Sequence, residues 1–143
     1  MDKKGNIVEK AGELIAARTA AGPDNYCALA TVDQDGYPYA TTISISKSQG
    51  IGCLIFCTGA GTPTVLRLKK NPKACVCLNS PEYHIALIGE AEVLTDLETK
   101  RDMWYEGLAD HFSGPEDENL AVIRFRTQRY SLFVDWNSVK GEV

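Results

Sequence analysis

Several absences narrow what this chain of 143 residues can be. It has no surplus of positive charge: 15 Lys+Arg stand against 19 Asp+Glu, a net charge of −4. Nucleic-acid backbones select a basic face, so nucleic acid is not an expected partner. No apolar run approaches the ~20 residues that span a bilayer, so no membrane insertion is expected. The opening MDKKGNIVEK has no hydrophobic signal core. Export is therefore not expected, and the cytoplasm is the expected location. None of the five cysteines (Cys27, Cys53, Cys57, Cys75, Cys77) forms a CxxC pair, and their number is odd. Lying in apolar strand-like runs, they read as buried free thiols of a reducing compartment. There are only two histidines, His84 and His111, so converging metal ligands are scarce and no metal site is expected. GxxxxGK[ST], HExxH, GxSxG and a helix-opening GxGxxG are all missing. No nucleophile–base set stands out, so no catalytic residue is assigned. If the protein is an enzyme, its chemistry is expected to come from a cofactor.

What is present centres on Leu54–Leu78, LIFCTGAGTPTVLRLKKNPKACVCL. The pattern predicts strand, glycine-rich loop, short helix, strand. Gly59-Ala60-Gly61 permits a tight turn. Thr62-Pro63 is a helix start, a hydroxyl N-cap followed by proline at the first helical position. Asn71-Pro72 ends the helix. Unpaired N–H groups of a helix start thus face a loop carrying the hydroxyls of Thr58, Thr62 and Thr64. That arrangement is either a phosphate cradle or an ordinary strand-to-helix connection.

The rest of the chain frames this stretch. Asn6 to Ala21 reads as an amphipathic helix, with Asn6 and Glu9 at capping-box spacing and Gly22-Pro23 as its end. Strands are expected over Tyr26–Val32 and Pro38–Ser46, joined by a turn at Asp33–Gly36. On the second, Ser44 and Ser46 alternate with Ile43 and Ile45. Its polar side is either a solvent face or a wall for a flat ligand. Further strands are expected over Ala74–Asn79 and His84–Leu94, with a bulge or bend at Gly89. Asp96 caps a helix from Leu97 to about Leu108. Two strands close the pattern, Ala121–Arg129 and Ser131–Trp136, while Asn137–Val143 gives no strong signal. Short turn-like links favour an antiparallel sheet closed into a small barrel, in one domain over residues 1–143.

Five motifs, in order, resemble the FMN-binding split barrels related to pyridoxamine 5′-phosphate oxidase, and most nearly their general-stress-protein branch. They are LATVDQDGYP at Leu29–Pro38, FCTGAGTPTV at Phe56–Val65, NPK at Asn71–Lys73, GEAE at Gly89–Glu92 and FSGPED at Phe112–Asp117. The resemblance implies a mainly β fold: a split, antiparallel, Greek-key-like barrel with flanking helices. It also implies a homodimer with FMN at the subunit interface. The second strand, here Thr41 to Ser46, would run along the flavin ring, with Thr41, Thr42, Ile43 and Ser44 as cofactor-binding residues. The phosphate would lie against Thr58, Thr62, Thr64 and Thr41. Many relatives carry arginine where this chain has Thr41, and lysine where it has Thr64. Arg67, one turn beyond Thr64, is the residue expected to restore a cation, with Lys69 and Lys70 less well placed and Arg124 and Arg126 as distant candidates. The implied function is an oxidoreductase acting on an unidentified small molecule. The alternatives are a non-catalytic flavin-binding or stress protein, and a barrel that has lost FMN.

Overall fold

A computed structural model describes residues 2–19 and 25–143. The elements follow in order: α1 (Lys3–Ala17), β1 (Tyr26–Val32), β2 (Pro38–Gln49), β3 (Cys53–Gly59), α2 (Pro63–Lys70), β4 (Lys73–Ser80), β5 (Tyr83–Leu94), α3 (Leu97–Met103), a 3-10 turn (Glu106–Asp110), β6 (Leu120–Val134) and β7 (Asn137–Glu142). All strand pairings are antiparallel. The strand order is β3-β2-β1-β4-β5-β6-β7, and an added β3–β6 pairing closes six strands into a barrel. β4 returns beside β1 after a three-strand meander, which is the Greek-key step. β7 extends the wall beyond the closed barrel.

Period-2 patterning builds the interior. Leu29, Ile45, Leu54, Phe56, Val76, Leu78, Ile85, Leu87, Ile123 and Phe125 are fully or almost fully buried in one cluster with the inner face of α1. Each such side chain contributes ~1.5–3 kcal/mol of burial. A second cluster forms on the outer face of β3 and β6, where Ile55, Cys57, Leu120 and Val122 pack against Leu108, Met103 and Trp104. Gly89 sits where β5 crosses a register shift on β6. A Cβ there would lie 2.0 Å from the carbonyl oxygen of Arg126, so the expected bulge is present and requires glycine.

Four local expectations change. Helix α1 starts at Lys3, capped by Asp2, whose carboxylate accepts from the Gly5 N–H, so Asn6 lies inside the helix. The helix ends at Ala17 with Arg18 as its C-cap, short of the expected Ala21, and the expected stop at Gly22-Pro23 lies outside the described residues. α3 stops at Met103, and Trp104 turns extended before the 3-10 turn, so the helix to Leu108 is not formed. The two closing strands are a single strand, β6, and β7 occupies the segment that gave no signal. The turn between them places Asp135 and Trp136 at φ of 52° and 63°.

The β2–β3 pairing gives the barrel its split. β2 meets β3 only from Ile45↔Phe56 to Gln49↔Cys53. From Pro38 to Ser44 it is paired to β1 alone. β3 continues past that point on β6, as far as Gly59↔Leu120. Among the described residues, one edge of β2 is therefore left without a strand partner just where β3 leads into α2.

Candidate functional site

The sequence-predicted residues fall on both sides of this split. Thr41 is half-buried and faces inward opposite Leu29, and Ile43 is buried in the core opposite Cys27. Thr42 and Ser44 are exposed on the outer face, opposite Ala28 and Tyr26. Thr58 is half-buried near the end of β3, opposite Ala121. Thr62 caps α2 as its spacing predicts.

The loop at the start of α2 is largely engaged with itself. The Thr62 hydroxyl donates to the Gly59 carbonyl at 3.0 Å and accepts from the Val65 N–H at 3.4 Å. The Thr62 N–H also donates to Gly59, and the Ala60 N–H donates to the Asn119 carbonyl at 2.7 Å. Pro63 has no N–H to offer. Thr64 is buried, and its hydroxyl accepts from Arg67 Nη2 at 3.2 Å.

Arg67 does join Thr64, as the i, i+3 spacing predicts. Its Nε donates to the hydroxyl of Thr31 at 2.7 Å, and its guanidinium lies 4.3 Å from the ring centre of Tyr39. Two hydroxyls and an aromatic face thus hold one cation. It forms no ion pair among the described residues. The sequence reading missed Thr31 and Tyr39. Alternation along β1 and β2 puts both on the inward side, but only the tertiary fold brings α2 over them.

Arg67 opens onto a crevice of about 380 Å³ between α2 and the β1–β2 turn. Pro63, Leu66 and Val32 supply apolar surface, and Lys70 and Asn71 flank the cation. Asp33 and Asp35 stand on the turn side. Lys70, expected to be less well placed than Arg67, shares the crevice with it. Arg124 lies elsewhere, on the outer face of β6, 3.1 Å from Glu92, with Arg126 4.0 Å from the same carboxylate.

A second cavity, about 310 Å³, lies between the outer face of β2–β3 and the 3-10 segment. Ser44, Cys57, Tyr105, His111 and Phe112 line it, and no lysine or arginine does. Burial pushes the Cys57 thiol up from its ordinary value; the nearby Ser46 hydroxyl tempers that rise without reaching hydrogen-bond geometry. Burial also raises Cys75 and Cys77, and raises Cys27 to about 12 with help from the neighbouring Cys77. These thiols are poor nucleophiles at neutral pH. No cluster of metal-ligating side chains occurs among the described residues.

The sequence profile of the pyridoxamine 5′-phosphate oxidase family matches residues 15–133. No curated protein sequence matches the chain. Among solved structures, a Clostridium acetobutylicum protein related to general stress protein 26 superposes with a TM-score of 0.84 at 20% identity, over 100% of this chain and 97% of that one. A heme-binding protein from Mycobacterium smegmatis gives 0.72 at 20% identity, over 95% of this chain and 57% of that one. An FMN-binding protein related to pyridoxamine 5′-phosphate oxidase, from Nostoc punctiforme, gives 0.64 at 15% identity, over 97% and 94%.

Proposed function

The chain belongs to the pyridoxamine 5′-phosphate oxidase family, and from that premise we propose that it is an FMN-binding flavoprotein of the general-stress-protein type, an oxidoreductase for a small molecule. The observation that carries this reading is the unpartnered β2 edge beside the Arg67 cation. Backbone N–H and C=O groups along Pro38–Ser44 offer a row of donors and acceptors to the rim of a flat heterocycle. Thr42 and Ser44 stand beside that row on the outer face, and Thr41 and Arg67 lie on the inward side. FMN supplies two-electron redox chemistry when bound; the chain binds, orients and shields it. The lack of cations around the 310 Å³ cavity fits an uncharged substrate better than a phosphorylated one.

A homodimer is part of the proposal. Two rows cross the outer wall, Thr42–Ala28–Cys77–Ala86 and Ala40–Ala30–Cys75–Ile88, and both are small or apolar. Such a face suits close contact with a second copy. No helix among the described residues is long and apolar enough to cross a membrane, and the cytoplasm is the proposed location.

The test is the visible spectrum of the purified protein followed by titration with FMN. Flavin absorbance, or saturable quenching of FMN fluorescence, is the expected result. A heme spectrum, or a colourless protein indifferent to FMN, would overturn the reading. Turnover of a nicotinamide reductant by the loaded protein would then separate an oxidoreductase from a flavin carrier.

A further inference from the structure

We infer that the anionic group of this chain's ligand sits on Arg67, in the crevice between α2 and the β1–β2 turn, and not in the hydroxyl-lined loop at the start of α2. The flavin reading supplies only the body of the ligand; the anion seat rests on Arg67 and its surroundings.

The loop has little left to give. The N–H groups of Ala60, Thr62 and Val65 already have acceptors within the protein. The hydroxyls of Thr62 and Thr64 are engaged as well. An anion there would be left with the Gly61 and Thr64 N–H groups and the Thr58 hydroxyl, for which no partner occurs among the described residues, and could draw on the Thr62 hydroxyl only by breaking the N-cap of α2, at a cost of about 1 kcal/mol. It would meet no lysine or arginine on the loop itself, since residues 58–64 carry none.

Arg67 is in the opposite condition. A guanidinium has five N–H donors, and here two are used, one on Thr31 and one on Thr64. Both partners are neutral. The Tyr39 ring, its centre 4.3 Å from the guanidinium carbon, adds a cation–π contact. A half-buried cation with no ion-pair partner among the described residues, held by two hydrogen bonds, is prepared for a bidentate anion and loses little side-chain entropy on binding it. Lys70 lies one turn further along α2 and adds a second positive charge to the same wall.

The crevice also meets the β2 edge. Tyr39 and Pro63 both line it, and they stand where the unpaired stretch of β2 and the helix α2 each begin. A ligand lying along Pro38–Ser44 can therefore pass its tail over Tyr39 onto Arg67. On the opposite wall, one Asp33 carboxylate oxygen accepts from the N–H groups of Asp35 and Tyr37, at 3.0 and 2.9 Å. The remaining carboxylate oxygens of Asp33 and Asp35 suit hydroxyl or amine donors on the body of the ligand. The recognised chemistry is thus a phosphate or carboxylate on a small, hydroxyl- or amine-bearing molecule.

The experiment compares FMN, riboflavin, inorganic phosphate and acetate on the full chain. The wild type should bind FMN at least tenfold more tightly than riboflavin. Arg67→Met should remove that preference while leaving riboflavin affinity unchanged. Lys70→Met should reduce it less, and Thr58→Val should leave it intact. Thermal melts of each variant check the fold. Independently, the Arg67 Nε–H resonance should move on adding phosphate or acetate, and the larger response identifies the anion class. Equal affinity for FMN and riboflavin, or an FMN preference lost in Thr58→Val but kept in Arg67→Met, overturns the anion seat and leaves the flavin reading standing. A phosphate- or acetate-dependent shift at Arg67 without any flavin binding does the reverse. No response to any of the four overturns both.

Discussion

Ser46 is buried to within 2% of its surface, and its hydroxyl is the one buried side-chain oxygen or nitrogen without a hydrogen bond among the described residues. It sits where the β2–β3 register shifts between Ile45 and Lys47, and the bulge leaves its hydroxyl beside the Cys57 thiol without reaching hydrogen-bond geometry. An unsatisfied buried hydroxyl costs roughly 1–3 kcal/mol. Ser46→Ala should therefore raise the melting temperature, by about 3 °C for each kcal/mol recovered; a fall would show that the hydroxyl has a partner in solution. At this scale the sequence was partly legible. The i, i+3 spacing tied Arg67 to Thr64, and the Thr62-Pro63 pair placed the cap of α2. Thr31 and Tyr39 were not legible, because their link to Arg67 crosses from helix to sheet and leaves no local pattern. The alternation of Ser44 and Ser46 was legible in part: Ser44 is exposed on the outer face, whereas Ser46, at the bulge, is buried beside Cys57.

Among the elements, β6 shows why boundaries were harder to read than strands. Its buried positions run Ile123, Phe125, Thr127 and then Tyr130, Leu132, Val134. The parity changes at the bulge beside Gln128, and a change of parity in sequence looks like two strands. β7 was invisible because it alternates half-buried with exposed residues and has few apolar ones, and because its turn uses Asp135-Trp136 where glycine or asparagine is the usual signal. Gly89 was readable because a lone glycine in a strand has few other uses. Gly89→Ala should cost about 3 kcal/mol, seen as a lower denaturation midpoint, since its Cβ would strike the Arg126 carbonyl in a wall that cannot open. The loop before β6 depends on a different contact. The buried Lys100 ammonium donates to the Asp117 carbonyl at 2.7 Å, and the Asp117 carboxylate accepts from the N–H groups of Ser113 and Asn119. Those bonds, first that from Ser113, hold the Asp117 carboxyl below its ordinary value. Its folded pKa is depressed, so its contribution is complete above the ordinary value and is lost as pH falls through the lower one. Amide exchange at Ser113 and Asn119, corrected for intrinsic acid effects, should thus accelerate below about pH 4. Lys100→Met should accelerate it at neutral pH too, by roughly fivefold for a loss of about 1 kcal/mol. Protection unchanged in both cases would mean that the loop is held by other contacts.

For the whole molecule, the split and the small-residue wall lie on the same strands. Thr42 belongs both to the β2 edge proposed to take the flavin and to the row that runs through Ala28, Cys77 and Ala86. A ligand on that edge and a second copy on that wall would therefore be neighbours, and binding one should favour the other. This gives a linkage that can be measured. Sedimentation should show a dimer in the wild type, and FMN affinity should weaken on dilution below the dimer dissociation constant. Ala28→Arg places a bulky charge in the middle of the wall, at a half-buried position away from the core. It should leave the melting transition of the barrel cooperative, shift sedimentation to the monomer and weaken FMN at least tenfold, while Arg67 keeps its contacts to Thr31 and Thr64. A monomeric Ala28→Arg protein that binds FMN as the wild type does would place the whole ligand site within one chain. A wild type that is monomeric at every concentration would remove the wall from the interface altogether.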